Sequence, residues 1–169
     1  MQWVTRRLLL ERSKSMEIES YITGFVDGEG SFLISFSRRP TMLSGIEVRP
    51  SFTVSQHERS KEVLILLQEY FNCVTVRDNK RDSTWKYEVR SLEDLVTKII
   101  PHFMEYPLQT SKQKDFEAFT TICLNMKEKQ HLQVNGLEQI IRSAYVMNND
   151  GARRYLQTDL LKIVSKMNV

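Results

Sequence analysis

From Ser20 onward the apolar positions follow two alternating periods. Tyr21, Ile22, Phe25 and Val26 fall at helical spacing and predict a helix that closes at Gly28 and Gly30, residues free to take the left-handed conformation that ends helices. Phe32, Ile34 and Phe36 then alternate with Leu33, Ser35 and Ser37, the period of two of a half-buried strand. Phe52 and Val54 repeat that pattern between Ser51, Thr53 and Ser55, and the stretch between the two strands holds Pro40 and Gly45, which predicts a hairpin. Ser60 is placed to cap a helix that carries Val63, Leu64, Leu67, Tyr70 and Phe71 on one face. Val74 and Val76, a polar turn from Asp78 to Ser83, and the alternation of Trp85, Tyr87 and Val89 with Lys86, Glu88 and Arg90 predict a second hairpin. Ser91 and Asp94 form a capping box before Leu92, Leu95, Val96, Ile99, Ile100 and Phe103 on a helical face. The predicted order is αββαββα. Three more helical stretches, Lys112 to Met126, Gly136 to Met147 and Ala152 to Met167, are expected to buttress that core.

Composition narrows the class. The chain has 169 residues, 41% of them hydrophobic and 27% charged, which suits one α+β domain over residues 16–169 preceded by a basic extension at 1–15. Cys73 and Cys123 are too few for a disulfide framework or a cysteine-rich zinc site and fit a reducing compartment. No apolar run is long enough for a bilayer, and the opening residues offer only Leu8 to Leu10 where a signal peptide needs a longer apolar core, so an intracellular protein without membrane association is expected. His57, His102 and His131 lack zinc-ligand spacing, and neither a Walker A loop nor a G-x-S-x-G elbow occurs.

The strands expose a second, polar face. Its alternation assigns Ser35, Ser37, Arg39, Arg49, Ser51, Thr53, Lys86, Glu88 and Arg90 to one surface, with Arg77, Asn79, Lys80 and Arg81 near a hairpin tip. Antiparallel ribbons fit the DNA major groove, where Arg reads guanine, Asn reads adenine and Lys or Ser holds phosphate. A merely solvated sheet face has the same composition, and a net charge of +3 does not separate the two readings.

The segment from Tyr21 to Phe32 carries more chemistry. Glu17, Glu19, Asp27 and Glu29 lie in a stretch, 17–30, without Lys or Arg, so the basic excess belongs to the remaining residues. Asp27 and Glu29 fall at a helix C-terminus, where the macrodipole already disfavours negative charge. A divalent cation answers that, since hard ions take carboxylate and carbonyl oxygens and the flanking glycines permit close approach. A capped helix with solvated acids is the plainer alternative. Gly24 and Gly28 share one helical face, which would let a second helix approach closely.

The run Ile22-Thr-Gly-Phe-Val-Asp-Gly-Glu-Gly30 resembles the signature of the LAGLIDADG homing endonucleases, and the αββαββα order is similar to that family's core. The resemblance implies a site-specific, metal-dependent DNA endonuclease. Glu29, which stands where the signature more often has Asp, would bind the metal, with the Gly28 carbonyl as a second ligand and Asp27 in a structural role. Mg²⁺ is the implied cofactor, with Mn²⁺ as a substitute and Ca²⁺ supporting binding without cleavage. One signature per chain implies a homodimer packed through Tyr21, Gly24, Phe25 and Gly28 on a long, pseudo-palindromic duplex. Gln56 and Lys112 match polar residues that the family places near the metal; an arginine sometimes found beyond the glutamine has no clear counterpart, since Ser60 falls there between Arg59 and Lys61. Bacterial cytoplasm and organelle matrix are both compatible. The rival readings are an RNA maturase acting on intron RNA and a DNA-binding regulator without catalysis.

Overall fold

Two hairpins join into one four-stranded antiparallel sheet in the computed structural model, which describes residues 18–79, 83–147 and 153–168. Helix α1, residues 18–29, passes without a loop into strand β1 (Gly30–Arg38). Neither Gly28 nor Gly30 has a positive φ, contrary to the expected left-handed closure. What the junction needs at residue 30 is the missing side chain: a Cβ there would lie 2.6 Å from Val26 Cγ1 and 2.8 Å from the Val26 carbonyl oxygen.

Strand β2 (Ile46–His57) is longer than the alternation around Phe52 suggests. It pairs with β1 from Arg38↔Ile46 to Gly30↔Val54, and with β4 (Thr84–Val89) from Phe52 onward. Pro50, which has no N–H to give, precedes the β4 pairing and is tolerated inside the strand. Between these strands run a 3₁₀ turn at Glu58–Ser60, helix α2 (Lys61–Phe71) and strand β3 (Arg77–Asn79). Two expectations need correction. Ser60 makes no side-chain cap; the His57 ring accepts from the Arg59 N–H instead. The third strand starts at Arg77 rather than around Val74 and Val76, because Gln68 Oε1 accepts the Val76 N–H at 2.8 Å and removes it from pairing. Sheet order is β1-β2-β4-β3.

Helix α3 starts at Leu92–Asp94, capped by the Ser91 hydroxyl on the Asp94 N–H, widens to a π turn at Leu95–Ile99 and finishes at Ile100–Glu105. Helices α4 (Lys112–Lys127), α5 (Val134–Val146) and α6 (Gln157–Val164) follow. The last helix is shorter than the predicted one: residues 153–156 are not helical, and Ala152 lies outside the described residues, as do residues 1–15.

The core lies on one side of the sheet. The Phe32 ring meets Phe52 at 5.3 Å, Phe103 at 5.4 Å, Phe116 at 5.2 Å and Phe119 at 5.4 Å. Helix α4, which supplies the last two rings, is therefore part of the core under β1 and not an outer buttress. Each such ring contributes roughly 1.5–3 kcal/mol by leaving water. A buried histidine sits among these rings. His102 lies 3.1 Å from Thr23 Oγ1 on α1 and 3.0 Å from Tyr70 Oη on α2, and burial pulls its pKa down to about 4, so it is neutral near pH 7. Among the described residues, no helix is long and apolar enough to cross a membrane.

Candidate active site

Three distant stretches of chain meet at the C-terminal end of α1. Glu29 is exposed there, and Gln56, the next residue on the helix side of β2 after Phe52 and Val54, donates from Nε2 to Glu29 Oε2 at 3.1 Å. Lys112, in the first turn of α4, donates from Nζ to the Val26 carbonyl at 2.9 Å, a cation placed on the negative end of the α1 dipole. Partial burial lowers the Lys112 pKa, against the opposing pull of Asp27, Glu29 and Asp115.

Asp27 points away from Glu29 and across to the loop before α4. Its carboxylate accepts the Gln109 N–H at 2.8 Å, the Thr110 N–H at 3.1 Å and the Thr110 hydroxyl at 2.6 Å. Burial raises its pKa, but the Thr110 and Gln109 hydrogen bonds outweigh that and hold it below the usual carboxylate value. Thr110 Oγ1 in turn accepts the Lys112 N–H at 3.3 Å. Gln109 and Thr110 were not anticipated from the sequence; nothing in their local pattern shows that an acid 82 and 83 residues earlier binds them. The two acids thus divide: Asp27 is saturated by donors, and Glu29 faces outward.

The other face of the sheet carries the polar residues. Arg39 Nε and Arg49 Nη2 both donate to Glu47 Oε2, at 2.8 and 2.7 Å, and these guanidiniums hold the Glu47 carboxyl at about 2. Glu88 is similarly flanked by Lys86 at 3.0 Å and Arg90 at 3.1 Å. Glu47, paired across from Ser37, was not named from the sequence; extending the alternation of Ser51 and Arg49 upstream reaches it. Ser35 Oγ donates to the Arg49 carbonyl, and Ser37 is half-buried. Ser51 and Thr53 share this face but are buried, 9% and 7% exposed, between longer neighbours: Leu33 pairs across from Ser51 and Glu88 from Thr53. Arg77 and Asn79 are exposed on β3 at its pairing with Lys86 and Thr84; Lys80 and Arg81 lie outside the described residues. Beyond β2, the Arg59 N–H donates to His57 and Lys61 Nζ rests 5.3 Å over the Trp85 ring.

On α1, Tyr21 is 53% exposed and stacks on Phe25 at 6.3 Å. Gly24 and Gly28 are exposed, and a Cβ added at either would meet nothing within 4 Å. Residues 22–123 match the LAGLIDADG endonuclease family as a whole. The chain belongs to that family. Among curated LAGLIDADG relatives, a probable intron-encoded endonuclease 2 of Neurospora crassa is 34% identical over 130 residues, 76% of this chain and 29% of its own length. The chain thus spans less than a third of that relative. Two solved structures resemble it closely. The I-TnaI homing endonuclease superposes with a TM-score of 0.75 at 34% identity, over 88% of this chain and 97% of that one. I-SmaMI bound to an uncleaved DNA target in the presence of calcium ions gives 0.77 at 28% identity, over 84% of this chain and 48% of that one. The αββαββα core expected from the sequence is the LAGLIDADG core seen here.

Proposed function

We propose that the chain is a site-specific, double-strand DNA endonuclease that works as a homodimer, each copy presenting its polar sheet face to the major groove of one half-site. The observation that carries this is the convergence of Glu29, Gln56 and Lys112 at the end of α1. A second α1, packed against the open stripe of Tyr21, Gly24, Phe25 and Gly28, would bring a second Glu29 close. The lengths agree: the chain fills nearly all of I-TnaI and about half of I-SmaMI.

The donor set suits a hard divalent ion, Mg²⁺ or Mn²⁺, because Glu29 is exposed and its neighbour Asp27 is already satisfied. Glu29 and the Gly28 carbonyl would hold it, and such an ion supplies an activated water and charge neutralisation at the phosphodiester. Gln56 orients Glu29 through Oε2. Lys112 Nζ, fixed on the Val26 carbonyl, would set a positive charge beside the phosphodiester. The reading also implies intracellular DNA as the substrate, in bacterial cytoplasm or an organelle.

The test uses purified protein and a pooled library of duplex sites, with Mg²⁺ and with Ca²⁺. Wild type is expected to cut one long site in Mg²⁺ and to retain it uncut in Ca²⁺, while Glu29→Gln retains it and does not cut. Full cleavage by Glu29→Gln overturns the metal assignment, and absence of both retention and cleavage overturns the endonuclease reading, with structured intron RNA the next substrate to try.

A further inference from the structure

One apolar side chain interrupts the polar face of the sheet. The register places Leu33 there, between Ser31 and Ser35 along β1 and across from Ser51 on β2. Its chain neighbours Phe32 and Ile34 are buried on the helix side, whereas Leu33 is 38% exposed. Among the described residues of the four strands, no other hydrophobic side chain lies on the polar face.

The side chains around it are short, and their polar groups are engaged or recessed. Ser35 gives its hydroxyl hydrogen to the Arg49 carbonyl at 3.3 Å, and Ser51 is 9% exposed. Arg49, across from Ser35, turns its guanidinium to Glu47, which pairs with Ser37 one step further from Leu33. On the far side of β2, Glu88 is held by Lys86 and Arg90. Leu33 is thus the side chain that projects from this part of the face. A leucine offers no hydrogen bond, so among base edges it favours an apolar group, and in the major groove that group is the C5 methyl of thymine.

We infer that Leu33 reads the C5 methyl of one thymine in each half-site and sets a base preference there by apolar contact. This contact rests on the duplex-binding reading given above and names one base group within the target. Its place along the site follows from the strand. Leu33 lies near the start of β1, about 10 Å from Gly30 at the rise of an extended chain, while Arg39 lies past the other end of the strand. The thymine therefore belongs to the inner part of the half-site, next to the cut, and the bases that Arg39 reaches belong to the outer part.

The test is equilibrium binding in Ca²⁺ of the selected duplex, with deoxyuridine replacing each thymine on either strand, one at a time. Deoxyuridine keeps the base pair and its polar groove edge and removes only the methyl. Wild-type affinity should fall about fourfold, the worth of one methyl group leaving water, at one position in the inner part of each half-site. Leu33→Ala should bind thymine and deoxyuridine equally at that position and respond as wild type at every other. Leu33→Met, which keeps an apolar side chain of similar volume, should retain the preference. With a C·G pair placed there, wild type should bind better when the cytosine carries a C5 methyl. Three results each overturn this contact and leave the endonuclease reading standing: a wild-type profile insensitive to deoxyuridine in the inner half-site, a selected target with no thymine there on either strand, or an unchanged deoxyuridine response in Leu33→Ala. If wild type retains no duplex at all, the contact falls together with the endonuclease reading.

Discussion

The hydroxyl of Thr110 donates to Asp27 at 2.6 Å, joining positions 83 residues apart. Through that bond the end of α1 fixes the loop that opens α4, and with it the backbone of Lys112. Asp27→Asn puts an amide donor where three donors already converge. Stability should fall by about 1–2 kcal/mol, and cleavage should fall more than DNA binding because Lys112 loses its anchor. Comparing thermal midpoints with single-turnover rates separates the two effects; equal loss of binding and cleavage would show that Asp27 serves the fold alone.

Gly30→Ala tests the helix-to-strand junction. The added Cβ collides with Val26, whose carbonyl is the acceptor of Lys112 Nζ. Overpacking of this kind costs about 1–3 kcal/mol, and here it also displaces the acceptor. Thermal unfolding should show the destabilisation, and residual folded protein should bind duplex with its cleavage rate reduced at least tenfold. Wild-type rates would mean that Lys112 does not depend on this carbonyl.

Glu47 sets the directions of Arg39 and Arg49. Glu47→Gln removes one negative charge from the face and releases both guanidiniums, so binding to scrambled duplex should rise while preference for the target falls. Each well-placed Arg–guanine pair is worth about 1–3 kcal/mol of discrimination, and the ratio of target to scrambled affinity measures the change. The same carboxylate has an acid signature. Its folded pKa of about 2 lies below its ordinary value of 4.5, so its stabilising contribution is complete above pH 4.5 and disappears as pH falls toward 2. That contribution is small, because the pair is exposed and screened. Glu47→Gln should flatten the acid limb of the stability curve in that window.

His102 has a window of its own. Its folded pKa of about 4 lies below the ordinary 6.5 because of burial. The unfolded chain therefore takes up the proton first, and stability declines as pH falls from 6.5 to about 4, then stops changing on this account. His102→Gln should remove that slope while lowering stability at pH 7, since Thr23 and Tyr70 lose the ring between them. Denaturant titrations at pH 7, 5.5 and 4.5 would show it; an unchanged slope would assign the dependence to other groups.

The alternation of Phe32, Ile34 and Phe36 and the helical spacing of Val63, Leu64 and Leu67 were enough to order the core, because each element buries one face. Boundaries were less visible where a side chain competes with backbone pairing, as Gln68 does for Val76, or where a proline falls beside an unpaired edge, as Pro50 does. Glu29, Gln56 and Lys112 could be named from the signature and its surroundings. Their mutual geometry, the Asp27 bonds to the loop before α4 and the Glu47 clamp depend on pairings across long stretches of chain, which local pattern does not encode.

The division of labour between the two signature acids has a kinetic consequence. With Asp27 turned inward, a lone chain brings a single outward carboxylate to the cut, so on the dimer reading its cleavage rate grows with the square of its concentration while pairing is weak. On the proposed dimer, the threshold for cutting would then be set by how tightly the two α1 helices hold each other.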